Sequence, residues 1–217
     1  GFESDRNRLM VYRRETEVPR ELKTKLDISV SSFVWAPNSK KIYFTASERG
    51  TSSVFSISLI GKKALRILSG ATHGSIQPHP KGKGFIFTRQ KLNQPIEIYR
   101  SGIDGEEISP LTNFNHDLIA NLEMNPGESF EVTTPDNATV HGFLLKPPGF
   151  NPKKTYPALL LIHGGPQSAW SDSFHYRWNA QMFSTQGYIV LMPNPRGSTG
   201  YGLKFMEEIS GDWGGKC

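Results

Sequence analysis

The chain is 217 residues long, 36% apolar and 11% aromatic, with a formal net charge of +5. That supplies core for one large domain or two smaller ones without disulfide staples, and 21% charged residues beside 13 Phe, 7 Tyr and 4 Trp exclude a disordered chain. The longest apolar run, residues 158–162, is far too short to cross a bilayer, and the lone cysteine, Cys217, excludes a disulfide framework and any multi-cysteine metal site.

The opening residues Gly1-Phe2-Glu3-Ser4-Asp5 carry neither an initiator Met nor a charged-then-apolar leader. At the other end, Gly211-Asp212-Trp213-Gly214-Gly215-Lys216-Cys217 stops in glycine-rich text with no closing element. Both ends therefore read as cut, and the compartment stays open between cytoplasmic and exported. Residues 1–116 carry a net +7 and residues 117–217 a net −2, which places a domain boundary near 116–126. The positive charges at Lys40-Lys41, Lys62-Lys63, Lys81 and Lys83 fall at predicted hairpin tips, and no arginine stripe collects them. Solvated turns account for them, so no nucleic-acid or membrane partner is expected.

A repeat organises the first half. A shift of 43 residues brings Pro37 onto Pro80, Phe44 onto Phe87, Thr45 onto Thr88, Phe55 onto Ile98 and Leu68 onto Leu111. Taken backwards, the same shift brings Phe55 onto Tyr12. Within each unit, short β-branched and aromatic runs alternate with turns such as Pro37-Asn38-Ser39, Glu48-Arg49-Gly50 and Asp104-Gly105. A period of ~40–50 residues with four strands is the signature of a propeller blade. The prediction is two blades, about 28–70 and 72–115, with the outer strands of a third in 8–27. An unrelated antiparallel sandwich is the competing architecture. Closure takes about 4–8 blades, so about two and a half leave the ring open.

After residue 126 the pattern changes. Residues 128–133 and 139–146 read as an antiparallel hairpin. Residues 158–162, apolar on both faces, read as a buried parallel strand, followed by a helix from Asp172 or Ser173 to residue 186 with Phe174, Trp178 and Met182 on one stripe. Residues 188–192 read as a second buried strand broken by Pro193, and a short helix is predicted over 203–209. Strand, helix, strand at this spacing is a βαβ unit, and ligands in such sheets bind at the carboxyl ends of the strands.

Those strand exits hold the informative residues: His163-Gly164-Gly165-Pro166-Gln167 after the first, and Asn194-Pro195-Arg196-Gly197-Ser198-Thr199-Gly200-Tyr201-Gly202 after the second. Paired glycines after a buried strand let the backbone turn sharply and aim N–H groups into a cavity, although a tight turn alone would also need them. Arg196 can grip a substrate carboxylate or brace its own loop. The glycine spacing of the second loop is not that of a dinucleotide fingerprint, the six histidines show no metal-ligand spacing, and no cofactor or metal is expected. Asn137-Ala138-Thr139 fits a glycosylation acceptor but decides nothing.

His163-Gly164-Gly165-Pro166, Asn194-x-Arg196-Gly197-Ser198-x-Gly200-Tyr201-Gly202 and Gly211-Asp212-Trp213-Gly214-Gly215, in this order, resemble the prolyl oligopeptidase family of serine peptidases, in its acylaminoacyl peptidase and dipeptidyl-peptidase-like branch. Trp35-Ala36-Pro37-Asn38 resembles its blade motif. The resemblance implies a β-propeller fragment over 1–116, a linker over 117–127 and the N-terminal part of an α/β-hydrolase domain over 128–217. It implies short peptide substrates and a Ser-His-Asp triad. Gly165 falls where relatives offer a backbone N–H to the oxyanion, and His163 falls where other branches place an oxyanion-binding Tyr. No Gly-x-Ser-x-Gly elbow occurs in the chain, since Ser198 has Arg196 where glycine is needed. The triad is expected outside this chain and the polypeptide itself to be inactive. An esterase or lipase shares the glycine-rich loop, and a propeller binding module with a degenerate hydrolase part is the reading from another class. Side-chain preference and oligomeric state are not legible.

Overall fold

Short runs of alternating burial, rather than long helices, build most of this chain. The structure, a computed structural model, describes residues 4–216; residues 1–3 and Cys217, with the readings made of them, lie outside the described residues. Strands β1 (Met10–Tyr12) and β2 (Pro19–Glu21) pair antiparallel as a small separate sheet. Strands β3 (Val30–Trp35), β4 (Lys41–Glu48), β5 (Thr51–Ser58) and β6 (Leu65–Leu68) then form one antiparallel meander. Strands β7 (Thr72–Pro78), β8 (Gly84–Lys91), β9 (Gln94–Gly102) and β10 (Ser109–Pro110) form a second. One parallel bridge, Ser52 to Thr72, joins them. The 43-residue shift carries β4 onto β8 from end to end and the start of β5 onto the start of β9. No closed ring is formed among the described residues.

The period of two explains how the sheets stack. In β4, Ile42, Phe44 and Ala46 point one way and join Leu9, Leu22, Phe55 and Ile57. Tyr43 points the other way and joins Val54, Leu68, Ile76, Phe85 and Phe87. The first meander is thus packed on both faces, against β1 and β2 on one side and against the second meander on the other. Tyr43 meets Phe85 edge-on at 4.6 Å between ring centroids.

Helix α1 (His116–Ile119) is a single turn leading into the second half. There, β11 (Glu128–Thr133), β12 (Thr139–Leu145), β13 (Ala158–Leu160) and β14 (Ile189–Asn194) form a four-stranded sheet in the order β11-β12-β14-β13. β13 and β14 run parallel, with α2 (Ala180–Ser184) between them in the chain. The expected βαβ unit is present, but three of its details differ. First, β13 is an edge strand, and Leu160 and Ile162 are 54% and 76% exposed, so the run over 158–162 is covered on one side only. Second, Pro193 does not end β14. Leu191 faces β13 by accepting from the Leu161 amide, so Pro193 faces that side too, where β13 has already ended and no partner needs its absent N–H. Third, the helix predicted over 172–186 shrinks to one short helix capped by Asn179, whose side chain accepts from the Gln181 amide at 3.0 Å. Asp172 is engaged elsewhere, and His175 Nδ1 accepts the amides of Arg177 and Trp178, closing a turn where the helix was expected to run. Helix α3 (Leu203–Glu207) ends two residues before the predicted 209.

Candidate active site

The two exit loops lie side by side. Thr199 donates its amide to the Ser168 carbonyl at 2.9 Å. His163 Nδ1 lies 2.9 Å from the Gly164 carbonyl and Nε2 lies 2.9 Å from Ser198 Oγ. A carbonyl only accepts, so Nδ1 carries the proton, and in the neutral ring Nε2 accepts from the Ser198 hydroxyl. Both ring nitrogens are therefore spent within the loops. Ser198 is fully buried, so this serine–histidine pair does not present a hydroxyl to a substrate.

Gly165 is held at φ +137, and a Cβ there would sit 2.8 Å from the Gln167 amide nitrogen and 3.1 Å from that of Ser168. Only glycine fits this bend. Among the described residues no protein acceptor takes the exposed Gly165 N–H. Beside the loop lies a cleft of about 640 Å³, bounded by Leu160, His163, Gly164, Trp170, Trp178 and Phe183 among others. Gly164 lines this cleft and Gly165 follows it in the chain, outside the lining. An amide donor without a protein acceptor at such a bend is the kind of group an acyl oxyanion requires.

The loops are braced from behind by residues that sequence reasoning did not connect. Asn194 is fully buried at the end of β14. Its Oδ1 accepts from the Trp170 amide at 2.7 Å, and its Nδ2 donates to the Trp170 carbonyl and to the Tyr201 hydroxyl, each at 2.9 Å. Trp170 Nε1 in turn donates to the Leu161 carbonyl at 2.8 Å, which closes the glycine loop at its base. Tyr201 Oη meets His141 Nδ1 at 2.7 Å, and burial pushes the phenol up to about 12 and the imidazole down. The motif letters around Asn194 and Tyr201 were the available signal; nothing marked His141, 60 residues away on β12. Arg196 is buried and forms ion pairs with Asp136 and Glu208 while donating to the Lys216 carbonyl, which makes it a brace between β11–β12 turn, loop and α3. Asp136 is held down at about 2, chiefly by its hydrogen bond from Arg196. Asp212 and Trp213 are exposed beyond α3. No three His, Cys, Asp or Glu side chains come together among the described residues as metal ligands would. No helix among them is long and apolar enough to cross a membrane.

The fold is shared with parts of larger solved structures. An acylaminoacyl peptidase in complex with Z-Gly-Gly-Phe-chloromethyl ketone superposes with a TM-score of 0.80 at 21% identity, over 95% of this chain and 31% of that one. Dipeptidyl peptidase 4 of Porphyromonas gingivalis superposes with a TM-score of 0.70 at 18% identity, over 93% of this chain and 29% of that one. Residues 174–217 match the model of the prolyl oligopeptidase family. Dipeptidyl-peptidase 5 of Porphyromonas gingivalis is 32% identical over 216 residues, covering 100% of this chain and 31% of that protein. Residues 174–217 thus carry the likeness to the prolyl oligopeptidase family, and the chain spans about a third of the length of the curated relatives it matches.

Proposed function

We propose that this chain is part of a serine peptidase that hydrolyses short peptides, with residues 1–116 as part of a β-propeller, 117–127 as linker and 128–217 as the opening of an α/β-hydrolase domain. The two tandem meanders related by 43 residues support the propeller, and the β13–α2–β14 unit with its glycine-rich exit supports the hydrolase. The observation that carries the reading is the Gly165 amide, unpaired among the described residues and set by a glycine-only bend one residue beyond Gly164, which lines the cleft.

In this mechanism a serine hydroxyl attacks the scissile carbonyl while a histidine takes its proton, and the carbonyl π pair moves onto oxygen. The Gly165 N–H donates to that oxyanion. The histidine then protonates the leaving amine as the acyl-enzyme forms, and water hydrolyses the ester. One such donor is worth about 3–4 kcal/mol of transition-state stabilisation. His163 acts by holding the loop rather than by touching the oxyanion, because Nδ1 and Nε2 are already bonded to Gly164 and Ser198. Nucleophile, base and acid come from outside these residues, and the chain alone is inactive.

A fluorophosphonate probe tests this. The 217-residue chain should remain unlabelled, and the longer protein should be labelled at one serine within a Gly-x-Ser-x-Gly elbow. Labelling of Ser198, or none in the longer protein, would sink the reading. Faster turnover of simple esters than of dipeptidyl amides by the longer protein would favour an esterase instead.

A further inference from the structure

The β4–β5 and β8–β9 hairpins are equivalent in the repeat, and both of their tips are driven into the α/β half. At the first tip Arg49 donates its amide to the Gly200 carbonyl at 3.0 Å and its guanidinium pairs with Glu131 of β11. Gly50, at φ +72, presses so closely on Phe143 that a Cβ would lie 2.5 Å from the ring. At the second tip Leu92 is buried within the core of the α/β half, among Phe143, Leu145, Ala180, Val190 and Met192. The carbonyl of Leu92 accepts from Gln181 Nε2.

Asp172 hydrogen-bonds to both tips. Asp172 donates its amide to the Gly50 carbonyl at 2.7 Å, its carboxylate Oδ1 accepts from the Leu92 amide at 2.7 Å, and its carbonyl accepts from Thr72 Oγ1 at 2.7 Å. Two residues on, the Phe174 amide donates to Gln90 Oε1 at 3.1 Å. Thr72 is also the residue through which the second meander bridges to the first at Ser52. A single aspartate thus binds two hairpin tips and the seam between the two meanders.

We propose that Asp172 is a three-point clasp that locks the antiparallel sheets and the α/β half into one rigid body along this face. Access to the cleft then cannot come from parting these two halves at the 49–50 and 92–93 tips; this face is the fixed side of the molecule. The bonded atoms favour a lock over a gate: the clasp uses backbone on both sides, and a buried apolar side chain, Leu92, would have to leave a packed core for it to open. The clasp exists whatever the α/β half catalyses.

Amide hydrogen exchange on the full 217-residue chain reads this directly, at the four amides that cross or flank the clasp: Arg49, Leu92, Asp172 and Phe174. In the native chain these four should exchange within about tenfold of core amides such as Phe44 and Val54, because opening them requires global unfolding. Asp172→Ala should speed all four together by about tenfold or more, whereas Asp172→Asn, which keeps an acceptor toward Leu92, should stay near the native rates. Thr72→Val, a gentler change that serves if Asp172→Ala does not fold, should speed the same four by a smaller factor. Exchange at the four sites about a hundredfold faster than the core in the native chain would make this face a gate and overturn the proposal. So would acceleration confined to Leu92 in Asp172→Ala, or unchanged rates at all four in Thr72→Val.

Discussion

At His163 a catalytic-looking residue turns out to be fully occupied. Its two nitrogens join Gly164 and Ser198, and the serine it touches is sealed from solvent. Ser198→Ala removes one hydroxyl donor and should lower stability by about 1 kcal/mol, read as a modest fall in Tm. It should leave fluorophosphonate labelling of the longer protein unchanged, which separates a staple from a nucleophile. Gly165→Ala is the sharper test. A methyl group 2.8 Å from the Gln167 nitrogen at φ +137 must move the loop, so kcat of the longer protein should fall by about a hundredfold or more while the chain still folds. Both loops were conspicuous in the sequence because glycines and a proline cluster directly after apolar runs. The pairing of His163 with Ser198 was not, since 35 residues separate them and no local pattern encodes which two loops become neighbours.

Among the secondary-structure elements, the hairpin tips carry more than their composition suggested. In the sequence Glu48-Arg49-Gly50 reads only as a turn, and nothing singles out Leu92. In the fold, Leu92 contributes to the core of the other half, and Leu92→Ala should cost about 2–4 kcal/mol, measured by denaturant unfolding. An exposed tip would have lost almost nothing. The helix expected over 172–186 failed for a related reason. Its apolar stripe is real in spacing, but Trp178 and Met182 are 55% and 67% exposed, and of the two expected caps Asp172 is spent on the tips while Ser173 Oγ meets Ser171 Oγ. Hydrogen bonds to another element outweighed a local propensity of a few tenths of a kcal/mol per residue. The strands fared better because a period of two needs only neighbouring residues to be read. Arg196→Lys should lower Tm, since a single ammonium cannot reach Asp136, Glu208 and the Lys216 carbonyl together as the guanidinium fork does.

For the whole molecule, buried titratable groups set how stability responds to acid. Burial lowers the pKa of His73, with the Arg89 and Lys91 charges adding to it and the Ser52 carbonyl opposing. Burial and Arg49 lower that of His141. Both bind protons more readily when unfolded, so stability should fall as pH drops below about 6.5 toward their folded values. Asp136 adds a further loss as pH falls from 3.8 through about 2. Asp172 works the other way: burial raises its pKa, so its contribution is greatest below 3.8 and is lost as pH rises through its folded value. Tm should therefore decline from pH 7 to pH 5, and His141→Asn should make that decline shallower. A Tm unchanged over that interval would contradict the burial of both imidazoles.

Read alone, the residues were enough to establish the 43-residue repeat, most strand positions, the βαβ order and the glycine-rich exits, because each depends on residues close in the chain. What the folding of the whole chain decided was which of those pieces meet. The anchoring of Trp170 by Asn194, the pairing of Arg196 with Asp136 and the seating of Leu92 in a foreign core all join residues far apart in sequence. Hydrogen-bond partners and buried neighbours are chosen by three-dimensional packing, and a one-dimensional pattern of polarity states only that a residue seeks a partner, never which one.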